Sequence, residues 1–270
     1  MATALLAIAA SGLPAAARPS SSLDPPGASR AVAAGQQTGL ASAPTTCPTP
    51  PAGFVVQAPG AGTTVALTFD DGPGPADLQI AAVLQRHRVP ATFFFTGEAV
   101  AQNPDVASQI AAAGYTIGNH SYDHRYPDAV PGGWSISFVT DQIQRTNTAF
   151  AAFVGTSSCY FRPPGGNTDN VLGAARALGV TSVMWNIDTV DWRQPNTTTQ
   201  QSTDSIARAA TAVGQEKHPL VLMHSSTTPQ AAGQAASGYR GNTIAALPQI
   251  IAWYRAQGYA FVDLAGRSAP

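Results

Sequence analysis

His120-Ser121-Tyr122-Asp123-His124 sets two imidazoles four residues apart, near enough on one turn for both to face a common point. A divalent cation is the natural occupant of such a pair. Zinc in catalytic sites commonly takes three protein ligands from His, Asp, Glu and Cys and keeps a position for water. A lone histidine pair at this spacing is often a solvated helix face, so the reading depends on a third donor. Asp70 and Asp71 offer it. Consecutive residues of an extended segment point to opposite sides, so the two can hold separate tasks: with Asp71 chosen as the third metal ligand, Asp70 is free to serve as a base. By itself, Asp-Asp before Gly72 is a common turn.

His224 closes the apolar run Leu220-Val221-Leu222-Met223, which reads as an interior strand, so its ring emerges at the strand end. A histidine there can serve as a general acid near neutral pH. Asp188 and Asp191 lie at the exit of the preceding strand, and a carboxylate against His224 would raise its pKa. Trp192 is placed to wall the site, and Trp134 also lies in a loop, whereas Trp185 alternates as a strand-core residue and Trp253 sits in a helix.

The elements that hold these residues alternate short β-branched or aromatic runs with longer Ala-rich amphipathic stretches, the βαβα rhythm of a parallel sheet or barrel. Strands are expected at Val65–Phe69, Ala91–Thr96, Tyr115–Gly118, Cys159–Arg162, Ser182–Ile187, Leu220–Met223 and Tyr259–Leu264. Helices are expected near Ala76–His87, Val100–Ala113, Ser135–Phe153, Asn170–Leu178, Thr199–Val213 and Asn242–Gln257. About seven strands fit a distorted or incomplete (β/α) barrel better than the regular eightfold one, with a doubly wound open sheet as the runner-up. Asp70, Asp71, His120, Arg162, Asp188 and His224 all fall at or just beyond C-terminal strand ends. That is the face where α/β proteins collect catalytic groups, and chance placement would scatter some to the opposite rim.

At 270 residues and 44% hydrophobic content the chain can bury one substantial core. A formal net charge of -1 and a single lysine, Lys217, leave no basic stripe for nucleic acid. Residues 1–17, rich in Ala and Leu and closing on Ala15-Ala16-Ala17, read as a signal peptide, although no Lys or Arg precedes the apolar run. They are too few and too interrupted to span a membrane. Residues 18–62, rich in Ala, Pro and Ser, read as a linker, and 63–270 as the catalytic domain. The chain is thus expected to be secreted, extracellular and monomeric. In an oxidising compartment Cys47 and Cys159 are expected to pair, two buried thiols being the alternative.

The motifs occur in a fixed order: Thr68-Phe69-Asp70-Asp71-Gly72, His120-Ser121-x-x-His124, Arg162-Pro163-Pro164-Gly165-Gly166, Asp188-x-x-Asp191-Trp192 and Leu222-Met223-His224. From about Thr64 to Leu264 the chain resembles the polysaccharide deacetylases, the fourth family of carbohydrate esterases. The resemblance implies hydrolysis of acetamide or acetyl ester groups on chitin-like, peptidoglycan or xylan chains. It makes Asp70 the base, Asp71, His120 and His124 the ligands of a divalent metal, and His224 the acid. It has Arg162 orient the base, Asp191 tune His224, Leu222 line the acetyl pocket and the Gly165 N–H help bind the oxyanion.

Two features depart from the family pattern. The third motif usually carries an aromatic, most often Tyr, where Gly165 stands; glycine keeps the N–H and loses the wall. The stretch from Asp191 to His224 is long, so Asp188 stays an alternative partner for His224. No Gly-x-Ser-x-Gly elbow is present, and Ser121 and Ser225 are not read as nucleophiles. Two rival readings remain, a carbohydrate-binding cell-wall module without catalysis and a metal-dependent hydrolase of small amides.

Overall fold

The computed structural model describes residues 47–228 and 237–268; the expected signal peptide and the linker as far as residue 46 lie outside them. Strand β1, Thr64–Gly72, is buried at every position. A strand covered on both faces belongs inside a parallel sheet flanked by helices. Its neighbours are β2 (Ala91–Phe95) and β7 (Leu220–His224), both parallel to it. Beyond β2 come β3 (Thr116–Asn119), β4 (Tyr160–Phe161) and β5 (Thr181–Ser182); beyond β7 comes β6 (Ile187–Asp188). β8 (Ala260–Phe261) pairs with the start of β1. The helices are α1 (Pro75–Arg86), α2 (Gly97–Gln102), α3 (Pro104–Ala112), α4 (Ile136–Phe153), α5 (Val171–Ala177), α6 (Gln200–Ala210) and α7 (Gly241–Ala256).

The expected fifth strand is in fact β5 and β6, on opposite ends of the sheet order. Val183 still donates its N–H to Phe161 beside β4, and three residues later Asn186 donates to Leu220 of β7. A chain covers about 10 Å in three residues. The sheet must therefore curl until its ends nearly meet, which makes it a distorted (β/α) barrel. The split has a local cause. Met184 gives its N–H to Val55, in a bridge outside the main sheet order, and its carbonyl accepts from the Arg162 side chain, so neither continues the ladder with β4 or β7.

Two other boundaries differ from expectation. The second helix breaks at Asn103, because Pro104 disfavours helical geometry in the residue before it; Asn103 sits at φ -131°, ψ 55°. The composition that marked 18–62 as linker also misled for its last part. Val55 accepts a place beside β5 through Ser182, Ala58 is buried, and Phe54 packs on the core. A few apolar residues suffice where a sheet edge has unpaired backbone groups to satisfy.

Side-chain parity sorts the barrel into layers. Leu67, Phe69, Phe93, Phe95, Val221 and Met223 face the helices and share one core with Ile80, Leu84, Leu247 and Tyr254. Ala66, Phe94 and Leu220 face the interior and form a second core with Val183, Val262 and Leu264 beneath the mouth. Continuing by two along the same face, β1 presents Thr68 and Asp70, and β7 presents Leu222 and His224. The apolar floor thus gives way to polar groups at the C-terminal mouth.

Cys47 and Cys159 are disulfide-bonded, joining the incoming segment to the residue before β4 across 112 positions of sequence. Replacing either cysteine with serine is expected to lower unfolding free energy by about 2–4 kcal/mol, measured by urea denaturation.

Candidate active site

The mouth is built outward from β1. Its pairing register with β2 shifts between Asp70 and Gly72, and Asp71 takes φ 76°. This bulge overturns the expectation that the two aspartates face opposite ways. Rotation at Asp71 brings both carboxylates to one imidazole, with Asp70 Oδ2 3.6 Å and Asp71 Oδ1 3.5 Å from His120 Nε2.

The two histidines follow β3 on a loop, not on a helical turn. Ser121 and His124 both adopt left-handed backbone, at φ 67° and 54°. Side chains staple that shape. Asn119 Oδ1 accepts the Ser121 N–H at 3.0 Å, Ser121 Oγ accepts the His124 N–H at 3.1 Å, and Gln142 Oε1 on α4 accepts the Tyr122 N–H at 2.8 Å. The imidazole centroids are 4.9 Å apart. His124 Nε2 lies 3.4 Å from Asp71 Oδ1.

His120 Nδ1 sits 2.7 Å from the Arg162 carbonyl oxygen, which can only accept, so Nδ1 carries the proton and Nε2 keeps its lone pair for the mouth. One donor atom from each of Asp71, His120 and His124 lies within 4.8 Å of the others, and all three residues are buried. Two imidazole nitrogens and one carboxylate oxygen form a donor set that suits a divalent ion with an open coordination position. The Asp71 carboxyl is held well below the usual carboxylate range. Burial opposes that, but the neighbouring His120, His124 and His224 outweigh it.

Arg162 follows β4 and is fully buried. Its guanidinium reaches Asp70 Oδ1 at 2.7 Å, Thr68 Oγ1 at 2.8 Å and the Met184 carbonyl at 2.9 Å, and lies over the Phe94 ring at 4.2 Å. One Asp70 oxygen is thereby engaged while the other looks toward His120.

His224 stands opposite, paired in register with Asp70. Its Nδ1 lies 2.7 Å from Asp191 Oδ1, and its backbone N–H donates to Asp191 Oδ2 at 2.9 Å. Thr243 Oγ1 of α7 donates to that second oxygen at 2.7 Å. Burial alone would lower the imidazole pKa; the Asp191 charge and hydrogen bond, with Asp71 and Asp70 beyond, instead push it up to about 9. Asp188 is exposed at the rim, accepts the Val190 N–H at 2.8 Å, and is not hydrogen-bonded to His224.

A cavity of about 160 Å³ opens over these groups. Asp70, Asp71, His124, Asp188 and His224 border it, as do Gly165, Leu222 and Trp192. His120, Arg162 and Asp191 lie just behind. Trp185, expected in a strand core, borders the cavity from the segment between β5 and β6, whereas the loop residue Trp134 is buried away from it. Sequence reasoning missed Thr68, Thr243 and Tyr126. Thr68 shares strand parity with Asp70 and could have been found; Thr243 lies 52 residues from its partner and carries no local signal.

The sequence profile described as polysaccharide deacetylase matches residues 57–183. A chitooligosaccharide deacetylase from Rhizobium leguminosarum bv. trifolii is 34% identical over 201 residues, covering 73% of this chain and 88% of that protein. The chain belongs to the polysaccharide deacetylase family. A peptidoglycan-N-acetylglucosamine deacetylase from Listeria monocytogenes serotype 1/2a is 30% identical over 201 residues, 74% of this chain, and this chain spans only 38% of it. The family 4 carbohydrate esterase fold also recurs in a pseudoenzyme from Bacillus anthracis, at 27% identity and a TM-score of 0.65, covering 80% of this chain and 68% of that one. Membership of the deacetylase family therefore leaves the chemistry to be argued from the site.

Arg162→Met removes the only cation hydrogen-bonded to Asp70 among the described residues. Leaving that carboxylate buried and unpaired is expected to cost about 3–5 kcal/mol of stability, read from denaturant unfolding.

Proposed function

We propose that this chain is a secreted, zinc-dependent deacetylase that hydrolyses N- or O-acetyl groups on a chitin-like, peptidoglycan or xylan polymer. The observation that carries the reading is the division of the Asp70 carboxylate: one oxygen is held by Arg162, and the other faces the Asp71, His120 and His124 group across from His224. The similarity to chitooligosaccharide and peptidoglycan deacetylases supports the substrate class. Export, with residues 1–17 as signal peptide and the catalytic domain from residue 63 together with the segment docked from Cys47, accords with the disulfide. No helix among the described residues is long and apolar enough to cross a membrane.

Asp71, His120 and His124 would hold the ion, which when bound supplies polarisation of the acetyl carbonyl and acidification of water. Asp70 Oδ2 takes the proton of the attacking water while Arg162 fixes the carboxylate through Oδ1. The Gly165 N–H donates to the oxyanion as it develops. Leu222 and Trp192 flank the acetyl methyl. His224, its Nδ1 engaged by Asp191, has Nε2 left to protonate the departing nitrogen or oxygen. Asp188, at the rim, meets the polymer.

Acetate release from chitooligosaccharides, peptidoglycan fragments and acetylated xylan, before and after chelation and metal add-back, tests this reading; full activity after chelation would overturn it. Asp71→Asn and His120→Ala are expected to lose bound metal. Asp70→Asn is expected to retain metal and lose about 10²–10⁴-fold in turnover. The opposite outcome, metal lost from Asp70→Asn and kept by Asp71→Asn, would exchange the two roles.

His224 donates a proton, so activity requires its protonated form and falls as pH rises through its folded pKa, about 9. Asp191→Asn removes the charge that raises that pKa. The alkaline limb of the kcat profile is then expected to move to lower pH, with metal content unchanged.

A further inference from the structure

Gly165 and Gly166 form a strip of backbone squeezed between two aromatic rings. A Cβ on Gly165 would clash with Cε1 of Tyr126 and lie 3.1 Å from its Cζ. A Cβ on Gly166 would lie 2.9 Å from Cη2 of Trp185. Both rings border the cavity that Asp70 and His224 face. A side chain at 165 and the Tyr126 ring thus compete for one volume, and here Tyr126 occupies it. Gly165 also sits at φ 60°, a region strained for other residues.

The Tyr126 backbone is fixed on both sides, and its ring is held by a neighbouring ring. Pro127 restricts its backbone to an extended form, observed at φ -76°, ψ 160°. Its carbonyl accepts the Ala129 N–H at 3.0 Å, and Trp134 Nε1 ties the adjacent Arg125 carbonyl at 3.1 Å. Its ring meets the His124 ring edge to face, with centroids 5.3 Å apart and planes at 75°. Such an anchored ring offers a flat apolar face at little further entropic cost.

We propose that Tyr126 is a specificity-determining residue, the wall against which the sugar ring bearing the acetyl group packs, and that Gly165 is glycine to admit it. The inference rests on the deacetylase reading. It makes the site a slot between Tyr126 and Trp185, floored by the Gly165-Gly166 backbone. The aromatic absent from position 165 is supplied from another segment of the chain.

The test compares wild type with Tyr126→Ala, Tyr126→Leu, Tyr126→Phe, Gly165→Ala and the double variant Tyr126→Ala/Gly165→Ala. Steady-state acetate release from N-acetylglucosamine oligomers is read alongside calorimetric affinity of the metal-loaded proteins for glucosamine oligomers, which are not turned over. Tyr126→Ala and Tyr126→Leu are expected to raise KM roughly three- to tenfold, with a parallel loss of affinity and kcat within about twofold, and Tyr126→Phe to match wild type. Gly165→Ala, by displacing the ring, should raise KM, and that increase should largely vanish in the Tyr126→Ala background. Unchanged KM and affinity in folded Tyr126→Leu, or fully additive effects in the double variant, overturn the proposal. A wild type that binds the oligomer without releasing acetate overturns the deacetylase reading instead, and the affinity series then decides the wall by itself.

Discussion

The buried ion pair between Arg162 and Asp70 is the contact on which the site and much of the barrel mouth depend. Both residues are almost wholly withdrawn from solvent, so neither charge is tolerable without the other and without hydrogen bonds to the remaining groups. The guanidinium's two terminal nitrogens meet that demand with Thr68 from β1 and the Met184 carbonyl from the segment linking β5 and β6, over the face of Phe94 from β2, while its Nε is left without a partner. The backbone of the same residue donates to Asn119 at the end of β3 and accepts from His120. One arginine therefore joins the Asp70 carboxylate and His120 to β1, β2, β3 and the segment between β5 and β6. It also explains why the fifth expected strand divides: the carbonyl that would continue the ladder is taken by a charged donor.

Around that pair the site separates two kinds of polar group. Asp71, His120 and His124 form a compact donor set at one side, with His120 kept in the tautomer that exposes Nε2. At the other, Asp191 is saturated by the His224 ring, the His224 backbone and Thr243, so its charge acts on the imidazole and not on solvent. Asp70, Asp71, His124 and His224 all border one cavity of about 160 Å³. A fold shared with a pseudoenzyme does not ensure such a division. The residues that make it are all present here.

Much was legible beforehand because barrel chemistry follows strand order. The period-two pattern of Thr68 and Asp70, or of Leu222 and His224, projects them inward, and the end of each apolar run marks the mouth. Residue types at those ends then pointed to the Asp71, His120 and His124 group. The helices were equally readable except where Pro104 broke one of them. Each of these features is encoded within a dozen neighbouring residues.

What tertiary structure alone decided involves backbone turns and distant partners. The left-handed residue Asp71 brings together two carboxylates that extended parity would separate, and left-handed Ser121 and His124 make the two histidines meet on a loop and not on a helical turn. Asp191 rather than Asp188 engages His224 because the turn between them leaves Asp188 capping Val190 at the rim. The end of the presumed linker joins the sheet because Ser182 and Met184 needed backbone partners that composition cannot reveal. The seat left by Gly165 is filled by Tyr126, 39 positions earlier in the chain, since packing depends on distance in space and sequence order records only distance along the chain.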